Sequence, residues 1–323
     1  LKGNDFIVPE MACTLYTLDG IRLQQGEKSV QLGILSQDPS IYSTRRLCEA
    51  AVARKHTVQV VDFLRCILGI HATQPTLQIQ GNPLPRFDAI IPRIGPARAN
   101  YGIAVVRHCE LMGVPVLNSA QAIATAIDKL HCYQQLAAAH LPFPATGFAQ
   151  SLKDSSTLFS IVGKLPFVLK LLRGSHGVGV VLAEQDCQAQ AMLEALRSAE
   201  VDVLVQSFVE ESRGVDIRCF VIGQRVIAAI ERKGPPGEFR ANLHRGGSAR
   251  AIAPTPQETQ LAVQAAQAIG LQIAGVDLLR TAAGSLILEV NGSPGLEGIE
   301  KTTGVDVAIA IIKFLEHWVE TQS

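Results

Sequence analysis

The 323-residue chain has no net charge: 29 basic side chains balance 29 acidic ones. That balance excludes a general polyanion coat and a polybasic membrane binder, and no direct nucleic-acid binding is expected. Aromatic residues are scarce at 5%, with a single Trp, so a core must be built mainly from Val, Ile, Leu and Ala. Paired cysteines are missing as well. The seven (Cys13, Cys48, Cys66, Cys109, Cys132, Cys187, Cys219) form no C-x-x-C and show no metal-ligand spacing. Such a set predicts reduced, mostly buried thiols in a cytoplasmic protein. No apolar run reaches the roughly 18 residues of a membrane helix, and no charged-then-apolar secretory signal opens the chain. Leu1 in place of a Met suggests a trimmed chain or a piece of a longer one. What is abundant is aliphatic. Hydrophobic residues make up 47%, which excludes a disordered chain, and the length predicts two or three subdomains.

Residues 1–29 carry weak patterning and read as an extension or linker. From 30 to 125 strands and helices alternate: strands at Val30–Leu35, Thr57–Phe63, Phe87–Ile91 and Val114–Leu117, helices at Tyr42–Lys55, Tyr101–Met112 and Ser119–Ala126. That alternation predicts a parallel sheet with right-handed crossovers. Residues 126–208 change character. After a helix at Lys129–His140, a glycine turn (173–179) joins strands Pro166–Leu172 and Val180–Ala183, followed by a helix at Gln188–Ser198 and a strand at Val201–Phe208. Residues 209–323 hold a hairpin (Asp216–Ile222, Arg225–Arg232) turning at Gly223-Gln224. A loop rich in Gly and Arg (233–250) follows, then a helix at Pro256–Ile269, two strands (Gln272–Leu279, Ser285–Val290) and a closing helix, Val305–Val319. The fold class is therefore α/β and α+β.

Three elements carry chemistry. Lys170 lies on a strand that runs into Arg173-Gly-Ser-His-Gly-Val-Gly179. Glycines such as Gly174, Gly177 and Gly179 let backbone N–H groups approach phosphate oxygens, and a nearby Lys supplies a point charge. By itself this loop is as well explained as a structural turn. Asp277 lies near the end of an apolar strand, and Glu289-Val-Asn291 ends the next. Glu289 and Asn291, two apart, share a face; if the neighbouring strand pairs in register, Asp277 joins them. Two carboxylates and an amide oxygen suit Mg²⁺, and acids embedded in apolar strands are costly without a cation. The third element is basic: residues 210–250 hold eight Lys/Arg against five Asp/Glu, with Arg218 and Arg232 on the hairpin and Arg240, Asn242, His244 and Arg245 just beyond it. Arg forks suit carboxylates and phosphates, and the glycines there suggest a mobile loop closing over an anion.

Lysine strand, glycine loop and an Asp/Glu/Asn triad in this order resemble the ATP-grasp superfamily. Pro92-Arg-Ile-Gly95, Asp128-Lys-Leu130, Val215-Asp-Ile-Arg-Cys219, Ala228-Ala-Ile-Glu-Arg232, Asn242-Leu-His-Arg-Gly-Gly247 and the run from Glu289 to Glu300 narrow the resemblance to the RimK type, ribosomal-protein glutamate ligases. It covers Val30 to the C-terminus. The resemblance implies an ATP-grasp fold: an N-terminal α/β domain, a lid and a C-terminal subdomain that clamps ATP. It implies an ATP-dependent carboxylate–amine ligase adding L-glutamate to the C-terminus of a small-subunit ribosomal protein through an acyl-phosphate. Lys129 and Lys170 would hold phosphates. Gln206, Ser207, Phe208 and Val209 would form the adenine hinge, and Asp216 would reach the ribose. Arg240 and Asn242 would lie in the nucleotide segment. Asp277, Glu289 and Asn291 would bind two Mg²⁺ ions, with Mn²⁺ as a substitute. Arg218, Arg240 or Arg245 would bind the acceptor carboxylate and acyl-phosphate. One departure stands out: Ser207-Phe208 occupies the hinge where relatives commonly carry Glu-Tyr, which removes a side-chain contact to adenine and keeps the backbone ones. A homo-oligomer, a tetramer among the options, is implied as well. Two other readings stay open, a ligase that acts on a coenzyme or small peptide and a non-catalytic nucleotide-binding regulator.

Overall fold

The computed structural model describes residues 13–16, 29–172, 179–243 and 246–322. Three strands rich in aliphatic side chains, β2 (Gln31–Leu35), β3 (Thr57–Val61) and β7 (Ala89–Pro92), form a parallel sheet ordered β3-β2-β7. The segment expected to be only a linker contributes β1 (Cys13–Tyr16), which adds antiparallel to β3 at the sheet edge. The strand expected at Val114–Leu117 shrinks to one bridge, Ile90 to Val116. Between β3 and β7 lies an unanticipated small antiparallel sheet of β4 (Cys66–Gly69), β5 (Thr76–Ile79) and β6 (Asn82–Pro83). Helices α1 (Tyr42–Ala53), α2 (Ala99–Leu111) and α3 (Ala120–Ile127) complete this region.

Asp128 then caps α4 (Lys129–Ala138), its carboxylate accepting from the His131 amide at 3.0 Å. A four-stranded antiparallel sheet follows, ordered β10-β9-β11-β8. Its strands are β8 (Thr146–Gly147), β9 (Phe167–Leu171), β10 (Val180–Ala183) and β11 (Val203–Ser207), and α5 (Ser155–Val162) and α6 (Asp186–Ser198) cover one face. This unit has its own small core around Leu158, Phe167, Leu193 and Val205. Helix α4, assigned by position to the same unit, instead packs into the core of the next one through Cys132, Tyr133 and Leu136.

The last unit is a five-stranded antiparallel sheet, β14-β13-β12-β15-β16. Its strands are β12 (Val215–Ile222), β13 (Arg225–Lys233), β14 (Ser248–Ala251), β15 (Ile273–Thr281) and β16 (Gly284–Asn291). β14 lies at the end of the segment expected to be all loop. One face packs on α7 (Pro256–Ile269), which starts with Pro256 at its first position and a reciprocal capping box between Thr255 and Glu258. The other face is divided. Phe220, Ile222, Ile230 and Ile273 pack under α8 (Glu297–Thr303) and α9 (Val307–Gln322), in a core shared with Leu32, Ile34 and Leu47 of the first sheet and α1. The remainder of that face, toward the other end of the strands, is polar and opens into a cleft. Among the described residues, five cysteines are buried and Cys187 is exposed. No described helix is long and apolar enough to cross a membrane.

Candidate active site

The cleft lies between the four-stranded and five-stranded sheets, with an empty volume of about 1130 Å³ counted out to its open mouth. Eleven of the residues given a site role from sequence line it: Lys129, Lys170, Gln206, Ser207, Phe208, Val209, Asp216, Arg240, Asn242, Asp277 and Glu289. Gly174, Gly177, His244 and Arg245 lie outside the described residues. Gly179 sits at the start of β10 with φ +73°, and a Cβ there would meet the Leu171 side chain at 2.4 Å. Only glycine fits both demands.

Residues directly opposite in an antiparallel pair share a face, and two irregularities decide which residues those are. Counting back from the Ala282-Ala283 turn, a regular β15–β16 hairpin would pair Asp277 with Leu288. A bulge between Asp277 and Leu278 pairs Asp277 with Glu289 instead, and Asn291 lies opposite Gly275 on the same face. In β12–β13, regular pairing from Gly223-Gln224 would set Asp216 against Glu231, two like charges. The bulge near Phe220 pairs Asp216 with Arg232 instead. The bulged Leu288 carbonyl is held by the Tyr133 hydroxyl of α4, which donates to it at 2.7 Å.

The outcome is a row of charges across the sheet. Arg232 donates to both Asp216 oxygens and to Asp277 Oδ2, each at 2.7 Å. Arg218, cross-strand from Asp277, donates to both of its oxygens at 2.7 Å. Burial opposes the charge on Asp277, but the two arginines outweigh it and hold the carboxyl below its usual range. For Asp216, burial and the nearby Asp277 push the carboxyl up against the pull of Arg232. The cation that a buried Asp277 requires is thus arginine, so its burial alone does not imply a metal. The donor chemistry does fit one. Three hydrogen bonds occupy Asp277 out of about four lone-pair positions on a carboxylate. Glu289 is exposed to the cleft with no hydrogen bond or ion pair among the described residues. Asn291 Oδ1, which accepts from the Ser293 amide at 2.9 Å, completes a hard oxygen set suited to Mg²⁺.

On the opposite wall Lys170 of β9 is 8% exposed and forms no ion pair among the described residues. Burial pulls its ammonium down to about 8, against the favourable field of Glu289. At the hinge, the amides of Ser207 and Phe208 are already bonded to the Ala145 and Pro166 carbonyls, at 2.8 and 3.1 Å. The Val209 amide has no partner among the described residues, which leaves it for a ligand. Phe208 and Phe239 meet edge to face, centroids 6.1 Å apart, at the same end of the cleft.

Two arginines expected to hold substrate are engaged elsewhere. Arg218 grips Asp277 and does not line the cleft. Arg240 is clamped by both Glu238 oxygens and donates to the Val180 carbonyl at 3.0 Å, tying its loop to β10. Sequence reasoning missed Arg232 and Tyr133 as site residues. Arg232 was legible as a hairpin cation; the register that aims it at two aspartates was not.

A family profile described as the RimK-like ATP-grasp domain matches residues 126–315, and one described as the RimK PreATP-grasp domain matches 30–123. A relative named "Probable alpha-L-glutamate ligase" from Picosynechococcus sp. is 53% identical over 287 residues, covering 89% of this chain and 95% of the relative. "Probable alpha-L-glutamate ligase 2" from Shewanella denitrificans is 49% identical over 294 residues, covering 91% and 98%. In fold the chain is similar to a RimK domain protein ATP-grasp from Sphaerobacter thermophilus, with a TM-score of 0.67 at 24% identity over 88% of this chain and 98% of that one. A D-alanine–D-alanine ligase from Bacillus anthracis complexed with ATP gives 0.63 at 14% identity, over 91% and 100%.

Proposed function

The chain belongs to the RimK-like ATP-grasp ligases, ATP-dependent enzymes, and on that premise we propose that it joins L-glutamate to a terminal carboxylate of a protein tail. A small-subunit ribosomal protein is the first acceptor to test. The observation that carries the reading is the alignment of Asp277, Glu289 and Asn291 on one sheet face, across a cleft from the buried Lys170, which has no ion pair among the described residues.

A carboxylate is a poor electrophile until its oxygen becomes a leaving group. The acceptor carboxylate takes the γ-phosphoryl of ATP, ADP departs, and the amine of glutamate attacks the acyl-phosphate and expels phosphate. Such transfer depends on positioning and charge neutralisation. Magnesium ions, when bound, would neutralise charge on the phosphoryl group; Mn²⁺ shares the preference for oxygen donors. Lys170, on the opposite wall, and Lys129, at the start of α4, both line the cleft and would hold the phosphates. Asp277 is kept ionised by Arg218 and Arg232, so it remains an acceptor of positive charge at neutral pH. Ala126, Val168 and Leu288, together with Phe208 and Phe239, give the cleft apolar lining.

Incubation with Mg-ATP, glutamate and ribosomal extract, followed by intact-protein mass spectrometry, tests this. The expected result is one or more glutamate-sized increments on a single small-subunit protein. Absence of any glutamate-dependent ADP release would sink the reading.

A further inference from the structure

The arginines that line the cleft, and Arg218 beside it, are already satisfied by carboxylates of the chain: Arg218 by Asp277, Arg232 by Asp216 and Asp277, Arg240 by Glu238. Arg93 is different. It directly follows β7, its amide bonded to the Leu35 carbonyl at 2.8 Å. Its Nη2 donates to the Pro294 carbonyl at 2.7 Å. No carboxylate among the described residues pairs with it. Burial alone pulls the guanidinium down to about 10, with no charged neighbour contributing. Nε and Nη1 have no described partner. Among the described residues the side-chain atom sealed from solvent without a partner is Arg197 Nε, so these two donors remain reachable.

Its position is fixed. Asn118, also in the first domain, donates to the carbonyls of Ile273 and Gly292 at 2.8 and 2.9 Å and accepts from the amides of Gln272 and Ile273 at 2.8 and 3.0 Å. That clamp docks the parallel sheet onto the strand that carries Asp277 and onto the turn after Asn291. Arg93 and Arg218 flank this turn. A Cβ built on Gly275 would lie 2.9 Å from Pro294 Cβ and 3.8 Å from Arg218 Nε, while Pro294 itself receives Arg93. Arg93 is not part of the nucleotide cleft lining. It reaches the Pro294 carbonyl, in the turn that follows Asn291.

Arg93 is half-buried, so a guanidinium without an acid there keeps two donors open to an anion, and its planar fork matches a carboxylate. The geometry points to Arg93 as the residue that binds a carboxylate of the amino-acid substrate, presented by the first domain across the Asn291–Pro294 turn. This rests on the ligase reading above. The carboxylate to be activated must meet the phosphoryl group, on the cleft side with Asp277 and Glu289. The amine-bearing glutamate arrives with two carboxylates that the reaction leaves unchanged, and these need a cation elsewhere.

The test compares wild type, Arg93→Gln and Arg93→Lys in glutamate-dependent ADP release, with glutamine and isoglutamine as neutral analogues. Losing a charge-assisted hydrogen bond predicts a rise of roughly 10–100-fold in the glutamate KM of Arg93→Gln. ATP KM and Mg²⁺ dependence should stay within about twofold, and Arg93→Lys should recover part of the loss. Wild type should prefer glutamate over one of the two amides, and Arg93→Gln should lose that preference. An unchanged preference overturns the assignment. So does a parallel shift in Mg²⁺ dependence, which would mean that Arg93 only holds the turn. Failure of the glutamate reading is seen separately, in wild type. If another acidic amino acid drives ADP release, the same comparison is run with it; if only a neutral one does, Arg93 is not a carboxylate site.

Discussion

The two walls of the cleft handle buried charge in opposite ways. On the four-stranded sheet Lys170 is buried without an ion pair among the described residues, and burial brings its ammonium down to about 8. On the five-stranded sheet Asp277 is just as buried but is held by two arginines, one of which also grips Asp216. The first wall is incomplete until an anion arrives. The second is complete in itself, and a cation that binds there must share Asp277 with Arg218 and Arg232. Deleting a charge should therefore cost stability on one wall and not on the other, while both deletions harm catalysis.

The largest effect is expected at Asp277. Asp277→Ala leaves Arg232 facing only Asp216 and strands Arg218. Urea unfolding should show a loss of about 3–5 kcal/mol, the cost of breaking a buried pair. Ligase turnover should fall by about 10³-fold or more, as when other charge-stabilising groups are removed. Retained turnover would mean that the metal site is elsewhere. Lys170→Met should behave differently: an apolar chain of similar length replaces an uncompensated ammonium, so thermal stability holds or rises. ATP affinity should drop by roughly 10–100-fold. Calorimetry over pH sharpens the point. In the proposed function the ammonium is the form that holds phosphate, present below about 8 and lost above it. ATP affinity of wild type should therefore weaken as pH rises through that value, and Lys170→Arg should flatten the profile. The smallest of these effects is expected for Tyr133→Phe, which frees the Leu288 carbonyl and loosens the bulge that aims Glu289. Partners that orient ligands are worth about 10–100-fold in metal affinity, so the Mg²⁺ requirement should rise about tenfold with little change in ATP KM. An unchanged Mg²⁺ titration would show that the bulge holds without the tyrosine.

Much of the fold was legible because long aliphatic strands and capped helices announce themselves. The α7 boundaries follow from Pro256 at its start and Gly270, at φ +81°, at its end. The small β4–β6 sheet was not legible: its strands are two to four residues long, too short for alternation to stand out. Likewise β1 (Cys13–Tyr16) is a four-residue segment, and only the open edge of β3 makes it a strand. Arg93 stood inside a quoted motif without a role, because its significance lies in having no carboxylate partner among the described residues, which only three-dimensional packing reveals.

By itself the sequence determined which chemical groups the site contains. Lysine, aspartate, glutamate, asparagine and arginine sit within the strands, and period two tells which of them share a face along one strand. It could not determine which residues face each other between strands. Both hairpins, counted regularly from their turns, give the wrong partners: Asp277 with Leu288, Asp216 with Glu231. One extra residue in each, accommodated as a bulge, shifts the pairing by one and brings opposite charges, or the two carboxylates Asp277 and Glu289, face to face. Register is a one-residue choice that reverses every side chain beyond it. In this protein the packing of α4, through Tyr133 on the Leu288 carbonyl, and the ion pairs of Arg232 and Arg218 support that choice.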